Sequence, residues 1–196
     1  DEKKSTSKSI FNTAQIIIGL CSRYKRTNNI AYLNSAKKAA YWIVKSINTE
    51  GAFAKYHYVE NFSPSYYTRI CWPLLEVYDL TKDTNILNLA SNALEYIAKK
   101  QLKNGFIKDS GFKPDSYAFL HTIAYTIRGF LESYLITKNE SYSDIAIELA
   151  EKLLLKFERK KYLAGAYFEN FNEHNNYRCI TGESQITIIW FKLYEI

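Results

Sequence analysis

The 196-residue sequence predicts an all-α protein built from repeated helical hairpins, with an inner and an outer layer of helices. The first observation behind this fold class is a repeated pattern. A tyrosine ends an apolar helical stretch at Tyr24, Tyr78, Tyr134 and Tyr194, with spacings of 54, 56 and 60 residues. In the first three copies a threonine follows three residues later, and a second amphipathic stretch begins. A period of this size with helical patterning is typical of an array of helical hairpins.

The second observation is that the two stretches of each hairpin differ. The second stretches are amphipathic, as where Ile145, Leu149 and Leu153 share one helix face. The first stretches are apolar nearly all round, as in 123–131 and 186–193, which is typical of helices enclosed on most sides. An inner layer wrapped by an outer layer follows. The sequence therefore predicts helical-hairpin repeats forming a partial α/α toroid.

Each predicted unit contains a first helix, a short turn, a second helix and a loop with a glycine and aromatic residues. First helices are predicted over 11–26, 65–80, 116–136 and 180–196, and second helices over 30–47, 84–101 and 141–157, about seven in all. Residues that can cap a helix start are Ser63 before Pro64, Asp83, and Asp115 with Ser116. Glycines that can adopt a positive φ follow the second helices, at Gly51, Gly105 and Gly165.

The composition excludes several classes of partner. The net charge is +6, but basic residues are spread over helix faces without a recognised binding module, so no nucleic acid partner is expected. No apolar stretch approaches the roughly 18 residues that a membrane-spanning helix needs, so no membrane span is expected. A mild positive field suits an acidic sugar polymer. The sequence carries no signal for an oligomeric state.

The cysteines show no recognisable metal or cofactor motif. Cys21, Cys71 and Cys179 occupy similar places on separate first helices, and no CxxC or HxxxH spacing exists. An odd number of helix-embedded cysteines predicts buried thiols, so neither a metal nor a cofactor is expected. The alternative is a zinc site formed by Cys71, Cys179 and either His121 or His174.

The length predicts a single domain over residues 1–196. The chain contains no methionine and ends within a predicted helix, so we expect it to be a fragment of a longer protein. No signal peptide is recognisable, which favours a cytoplasmic location.

Four stretches of the first helices resemble proteins of the α/α-toroid superfamily, which includes six-hairpin glycosidases, lyases and epimerases and terpenoid-cyclase-like proteins. These stretches are 11–15, 66–73, 120–129 and 181–185. Together they are similar to uncharacterised bacterial toroid proteins linked to polysaccharide metabolism. The resemblance implies an oligosaccharide or polysaccharide as partner, and a closed ring of which this sequence covers little more than half.

A polar stripe runs along the third inner helix, which is otherwise apolar. Its members are His121, Tyr125, Arg128 and Glu132. They lie at i, i+4, i+7 and i+11 and therefore share one helix face. Unpaired charges are costly to bury, so the stripe needs either partners or a function. The structural interpretation pairs Arg128 with Glu132, and Glu76 with Lys192.

We predict the functional site at the N-terminal ends of the inner helices, where helix dipoles favour anions and loop aromatics such as Tyr58 are dense. His57 belongs to the same end. Flat aromatic faces with scattered hydrogen-bonding groups suit sugar rings. The candidate catalytic residues are His121 and Tyr125. The candidate substrate-binding residues are Gln15, Tyr66, Tyr67, Arg69, Trp72, Arg128, Glu183 and Gln185.

Two carbohydrate chemistries fit these residues. β-Elimination or C5-epimerisation of a uronic acid needs His121 or Tyr125 to move a proton. It also needs a cation or amide that neutralises the sugar carboxylate, a role open to Arg69, Arg128 and Gln185. Glycoside hydrolysis instead needs two carboxylates roughly 5–10 Å apart. The loop acids that could supply them are Asp109, Asp115, Glu169 and Glu183.

Two functions outside carbohydrate catalysis are the alternatives. A non-catalytic module that binds a glycan or a protein fits the incomplete ring and the lack of an evident carboxylate pair. Terpenoid chemistry is suggested by 101–106, which resembles the glutamine–glycine–aromatic repeat of terpene cyclases. The clustered aspartates of those enzymes are absent from this sequence, so that resemblance concerns architecture alone.

Overall fold

The computed structural model describes residues 8–56, 59–174 and 177–196. These residues form seven α-helices and one two-stranded antiparallel sheet. The helices are α1 (Ile10–Thr27), α2 (Ile30–Val44), α3 (Thr68–Thr81), α4 (Thr84–Ala98), α5 (Leu120–Thr137), α6 (Glu140–Lys160) and α7 (Ile180–Tyr194). Strand β1 (Ala118–Phe119) pairs with strand β2 (Ala166–Tyr167). The predicted all-α class is confirmed, whereas His57 and Tyr58 lie outside the described residues.

The helices form the two predicted layers. Helices α1, α3, α5 and α7 pack side by side in chain order, and α2, α4 and α6 each pack on the outside of the preceding helix. Ala36, Ala90 and Ala146 on the outer helices are fully buried, and their small side chains let the helix axes approach closely. Across the described ranges, no helix has both the length and the apolar character that crossing a bilayer requires.

The repeated tyrosine–threonine pattern forms the tight turn of each hairpin. In the third copy, Lys138 adopts a left-handed conformation and its N–H donates to the carbonyl of Tyr134 at 2.8 Å. The Thr137 hydroxyl accepts from the N–H of Asn139 at 3.3 Å, and the Asn139 side chain caps α6. The other two hairpins repeat these contacts. The pattern therefore ends the inner helix and caps the start of the outer helix in the same turn.

The starts of two inner helices differ from the sequence prediction. Ser63 does not cap the next helix, because its hydroxyl accepts from the N–H of Phe53, and a 3-10 turn over Ser65–Tyr67 precedes α3. Asp115 and Ser116 do not cap α5 either. That helix begins at Leu120, after the chain has paired as β1 with β2.

Two of the three loop glycines have the expected backbone conformation. Gly51 and Gly105 have φ values of 93° and 88°. Gly165 has no positive φ, and its lack of a side chain serves packing instead. A Cβ there would lie 2.2 Å from the ring of Tyr177.

Candidate functional site

A cavity of about 870 Å³ lies at the N-terminal ends of α1, α3 and α5. Its lining is mostly aromatic and carries four of the predicted site residues. The lining residues are Lys8, Ser9, Phe11, Asn12, Tyr56, Tyr66, Tyr67, Phe112, Lys113, His121 and Tyr125. Small-molecule sites commonly have volumes of roughly 300–1,000 Å³, so the cavity can hold a sugar unit.

The aromatic wall is held by edge-to-face and tilted packing. The Phe11 ring lies 5.7 Å from that of Tyr66 and 5.6 Å from that of Tyr125, between centroids. Tyr66 also packs edge-on against Phe112, at 5.7 Å. Such pairs prefer these geometries because ring edges are positive and faces are negative. Side chains from α1, α5, the 3-10 turn before α3 and the loop before β1 therefore form one continuous surface.

A glycine brings α3 and α5 together beside the cavity. A Cβ at Gly129 would lie 2.3 Å from the carbonyl carbon of Thr68, so only glycine fits this crossing. The Thr68 hydroxyl donates to the carbonyl of Thr126 at 3.1 Å across the same contact. The close approach sets Arg69 next to Tyr125, with the guanidinium carbon 5.4 Å from the tyrosine ring centre.

A second glycine sets α7 against the start of α5. A Cβ at Gly182 would lie 2.7 Å from the Leu120 side chain. Cys179 caps α7, since its Sγ accepts from the N–H of Gly182 at 3.4 Å. The same sulfur lies 3.8 Å from Nδ1 of His121. The first turn of α7 thus places a thiol beside the imidazole.

His121 occupies an apolar wall of the cavity. Its ring stacks on Phe119 at 5.5 Å and lies 5.6 Å from Phe112 and 5.8 Å from Tyr125. Burial lowers the pKa of His121 below its ordinary value, because the apolar surroundings disfavour the charged imidazolium. The imidazole is therefore neutral at pH 7. Nε2 has no hydrogen-bond partner among the described residues, so a neutral His121 can accept a proton there.

Four further predicted substrate-binding residues contact one another without lining the cavity. Nε of Arg69 donates to Oε1 of Gln15 at 3.1 Å. The guanidinium also lies over the ring of Trp72, with 4.7 Å between its central carbon and the ring centroid. Arg128 approaches the same indole at 5.3 Å, so two cations contact one aromatic ring. Gln15, Arg69, Trp72 and Arg128 are thus brought together.

The predicted ion pairs between charged residues of the inner helices are confirmed only in part. Arg128 binds Glu132 as predicted. The predicted pair of Glu76 with Lys192 is wrong: Lys192 binds Glu132 at 2.9 Å, and Glu76 binds Lys25. The reason is the order of the inner layer. Helix α7 packs against α5, whereas α3 packs between α1 and α5, so Lys192 meets a carboxylate of α5.

The two predicted site residues on α7 do not line the cavity. Glu183 binds Arg178 and accepts the N–H of Leu163, so it clamps the loop before α7. The hydrogen bond from Arg178 holds the pKa of Glu183 below its usual range. Gln185 is partly buried.

The loop acids offered for hydrolysis are also dispersed. Asp109 binds Lys100 at 3.0 Å, and Asp115 and Glu169 are exposed. None of these carboxylates lines the cavity in the described part of the chain.

Two neighbours of His121 are not among the predicted catalytic and substrate-binding residues. Cys179 was predicted to be a buried thiol, but it precedes α7 and is only partly buried, unlike Cys21 and Cys71. Phe112 lies in the loop before β1, and no periodic signal points to it. A cysteine followed three residues later by a helical glycine is the one local sign that could have revealed the cap. Over the described ranges, no three His, Cys, Asp or Glu side chains are grouped closely enough to hold a metal ion.

An arc of helical hairpins, with an aromatic cavity at the N-terminal ends of its inner helices, defines this molecule as an α/α-toroid protein. The model of the β-L-arabinofuranosidase GH127 catalytic domain matches residues 2–184. The chain belongs to this family. The predicted α/α-toroid fold is confirmed, and the chain has its place in a carbohydrate-active family. No curated protein sequence matches the chain.

Solved structures show the same fold at low identity. A cellobiose 2-epimerase from Spirochaeta thermophila has a TM-score of 0.78 at 12% identity, covering 95% of this chain and 54% of that one. A GH76 α-mannanase from Bacteroides thetaiotaomicron has a TM-score of 0.70 at 17% identity, covering 99% and 54%. A cellobiose 2-epimerase from Bacillus thermoamylovorans has a TM-score of 0.71 at 15% identity, covering 96% and 55%. The chain thus spans about half the length of these structures.

Proposed function

We propose that this protein binds an acidic oligosaccharide or polysaccharide in the aromatic cavity and that His121 and Tyr125 transfer protons on the bound sugar. The observation that carries the proposal is the cavity itself. It combines stacked aromatic faces with a neutral imidazole and a phenol one helical turn apart. The family assignment supports a carbohydrate as the ligand.

The cavity wall matches the surface of a sugar. A sugar ring has apolar C–H faces and a rim of hydroxyl groups. The rings of Phe11, Tyr66 and Phe112 offer flat surfaces for the faces, and Tyr125 and Asn12 offer polar groups for the rim. Sites of this kind place few polar groups on a mostly apolar wall.

Proton abstraction next to a uronate carboxylate is the chemistry that these residues favour. A neutral His121 serves as general base near pH 7, and Tyr125 lies within reach of the same bound molecule as acid or second base. The resulting charge on the carboxylate would be stabilised by the guanidinium of Arg69, 5.4 Å from the Tyr125 ring. If the second group protonates C5 from the opposite face, the sugar is epimerised. If it instead protonates the glycosidic oxygen at C4 while that C–O bond breaks, β-elimination gives a C4=C5 double bond and a released sugar hydroxyl.

Hydrolysis of a glycosidic bond is the second candidate, and the family assignment favours it. The family is that of the β-L-arabinofuranosidase GH127 catalytic domain, so a β-L-arabinofuranoside is the corresponding substrate. This reaction needs a pair of carboxylates on either side of the bond. No carboxylate lines the cavity among the described residues, and Glu132 and Glu76 are bound to cations.

The test compares two substrates and three variants. His121→Ala and Tyr125→Phe should lower the rate of elimination from a galacturonic-acid oligosaccharide at least about 100-fold, because each loses a proton-transfer group. His174→Ala, whose side chain does not line the cavity, is the matched control and should retain activity. The ultraviolet absorbance of the unsaturated product and chromatography of epimers are the readouts. Melting temperatures show that the variants fold.

Other outcomes decide between the candidates. Release of arabinose from a β-L-arabinofuranoside, unaffected by Tyr125→Phe, would support hydrolysis instead. Binding of the oligosaccharide without turnover of either substrate would contradict catalysis and identify a glycan-binding module.

The activity should also persist as the pH falls below the ordinary histidine pKa of about 6.5, because the pKa of His121 is lowered. A rate that already falls above that pH would contradict His121 as the base.

A further inference from the structure

The interior of the inner layer holds more positive than negative charge. Glu132 binds two cations, Arg128 and Lys192. Glu76 binds Lys25. No carboxylate of the described chain lies within ion-pair distance of Arg69. Its guanidinium is therefore the cation of this cluster that lacks a counter-charge.

The contacts of Arg69 occupy only part of its hydrogen-bonding capacity. Nε donates to Gln15, and the central carbon of the group lies over the rings of Trp72 and Tyr125. The two terminal Nη atoms have no hydrogen-bond acceptor among the described residues. A guanidinium carries five N–H donors in a fixed planar fork, which matches a carboxylate bidentately. The unoccupied edge of the fork can still bind an anion.

The surroundings of Arg69 raise the free-energy cost of leaving its charge without a carboxylate partner. Arg69 is partly buried, and Arg128 contacts the same indole ring. Burial first, and then repulsion by Arg128, lower the pKa of Arg69. Arginine does not lose its proton near neutral pH, so the group stays charged and the cost persists until an anion binds.

We infer that the Nη edge of Arg69 is a subsite for the carboxylate of an acidic sugar, and that it sets a preference for uronate over neutral residues. The inference rests on the proposed function, since it places the carboxylate relative to the same cavity. Arg69 contacts Tyr125, and Tyr125 lines the cavity. Arg69 itself does not line the cavity, so a uronate carboxylate held there would lie beside Tyr125 at the cavity wall.

Arg128 does not share this role. Its Nε donates to Glu132, a single carboxylate that Lys192 also binds, so part of the positive charge remains. Arg128 instead raises the affinity of Arg69 for an anion through its positive charge. Arg69 thus binds the carboxylate, and the charge of Arg128 strengthens that binding.

The experiment measures binding of a galacturonic-acid trisaccharide and of its fully methyl-esterified form by calorimetry. The two probes differ in charge. The wild-type protein should bind the acid about 10- to 100-fold more tightly than the ester, as expected for a charge-assisted bidentate pair. Arg69→Met should remove most of this preference and leave the affinity for the ester nearly unchanged. Arg69→Lys keeps the charge but loses the fork, so an intermediate preference is expected.

Arg23→Met is the matched control, because it removes the same charge from an exposed position on α1. It should leave the preference intact, and equal losses in both methionine variants would show a general field effect and overturn the subsite. Equal affinity of the wild-type protein for acid and ester would also overturn it, while leaving the sugar site standing. Inorganic sulfate that competes as well as the trisaccharide would show a site for free anions and contradict a uronate subsite. Failure of both sugars to bind would overturn the proposed function together with the subsite.

Discussion

At the scale of single residues, the charge state of each polar side chain in and near the cavity depends on its immediate neighbours. His121 is neutral because its ring lies among aromatic rings, and Arg69 stays charged because guanidinium retains its proton. The three cysteines differ for the same reason. Burial raises the pKa of Cys21 to about 11 and raises that of Cys71 as well, whereas Cys179 is only partly buried at the start of α7.

These differences predict selective alkylation. Iodoacetamide at pH 8 should label Cys179 at least about tenfold faster than Cys21 or Cys71, because only the accessible thiol can present a thiolate to the reagent. Peptide mass spectrometry after timed quenching measures the three rates. Preincubation with a sugar ligand should slow the reaction of Cys179, since its sulfur lies beside His121 of the cavity. Equal rates for all three thiols would contradict this placement.

At the scale of helices, glycines determine how closely the inner helices approach. Gly129 of α5 lies against the backbone of α3, and Gly182 of α7 lies against the start of α5. Gly19 of α1 has no atom within 4 Å of the position its Cβ would take. The first two positions need glycine for contact, and the third does not.

The two kinds of glycine predict changes of opposite sign. Gly129→Ala should lower the free energy of unfolding by about 2–3 kcal/mol, because the added methyl group overlaps the backbone of Thr68. Gly19→Ala, the matched control, should raise it by about 0.5–1 kcal/mol, since alanine is the better helix former and meets open space. Urea titration followed by circular dichroism measures both. A neutral Gly129→Ala would show that α3 and α5 can move apart without cost.

At the scale of the whole molecule, ionic and aromatic contacts link the four inner helices. Lys25 of α1 binds Glu76 of α3, which accepts the indole N–H of Trp72 at 3.2 Å. Arg128 of α5 contacts Trp72, and its partner Glu132 reaches Lys192 of α7. At α7, the described chain leaves apolar side chains such as Phe191 largely exposed, at 67%. The inner layer is thus one connected unit that ends on an open apolar edge.

Glu132 is the residue on which this chain of contacts depends most. Its side chain is 9% exposed and binds two cations. Glu132→Gln should lower the free energy of unfolding by about 3 kcal/mol, because Arg128 and Lys192 are left without a counter-charge beside Arg69. Glu151→Gln on the exposed face of α6 should change it by less than about 0.5 kcal/mol. Thermal and urea unfolding measure both variants, and equal effects would contradict a special role for Glu132.

Helical structure follows from local signals, so most of it could be predicted. The tyrosine–threonine repeat, the caps such as Asp83 and the two kinds of apolar pattern act within a few residues of one another. The start of α5 could not be predicted the same way. Residues 118–119 pair with 166–167, and such a distant partner leaves no local sign at Asp115.

The candidate site was only partly visible. The sequence assigned Gln15, Arg69 and Tyr125 to the candidate site, and the structure shows Arg69 in contact with both of the others. Glu183 was assigned to the site by its position near the start of α7, but a neighbouring arginine engages it. The position of a residue along a helix predicts how near it lies to the site, whereas the contact its side chain makes depends on the residues that pack against it.

The sequence by itself determined the all-α class, the hairpin repeat, the two layers and the polar face that runs along α5, because these depend on periodicity and on capping within single hairpins. The tertiary structure decided which charged side chains form ion pairs, where the cavity lies and which arginine has no carboxylate partner among the described residues. These depend on the order in which helices pack and on loops that return from far along the chain. Lys192 met Glu132 rather than Glu76 for that reason, and Arg69 has no ion-pair partner among the described residues.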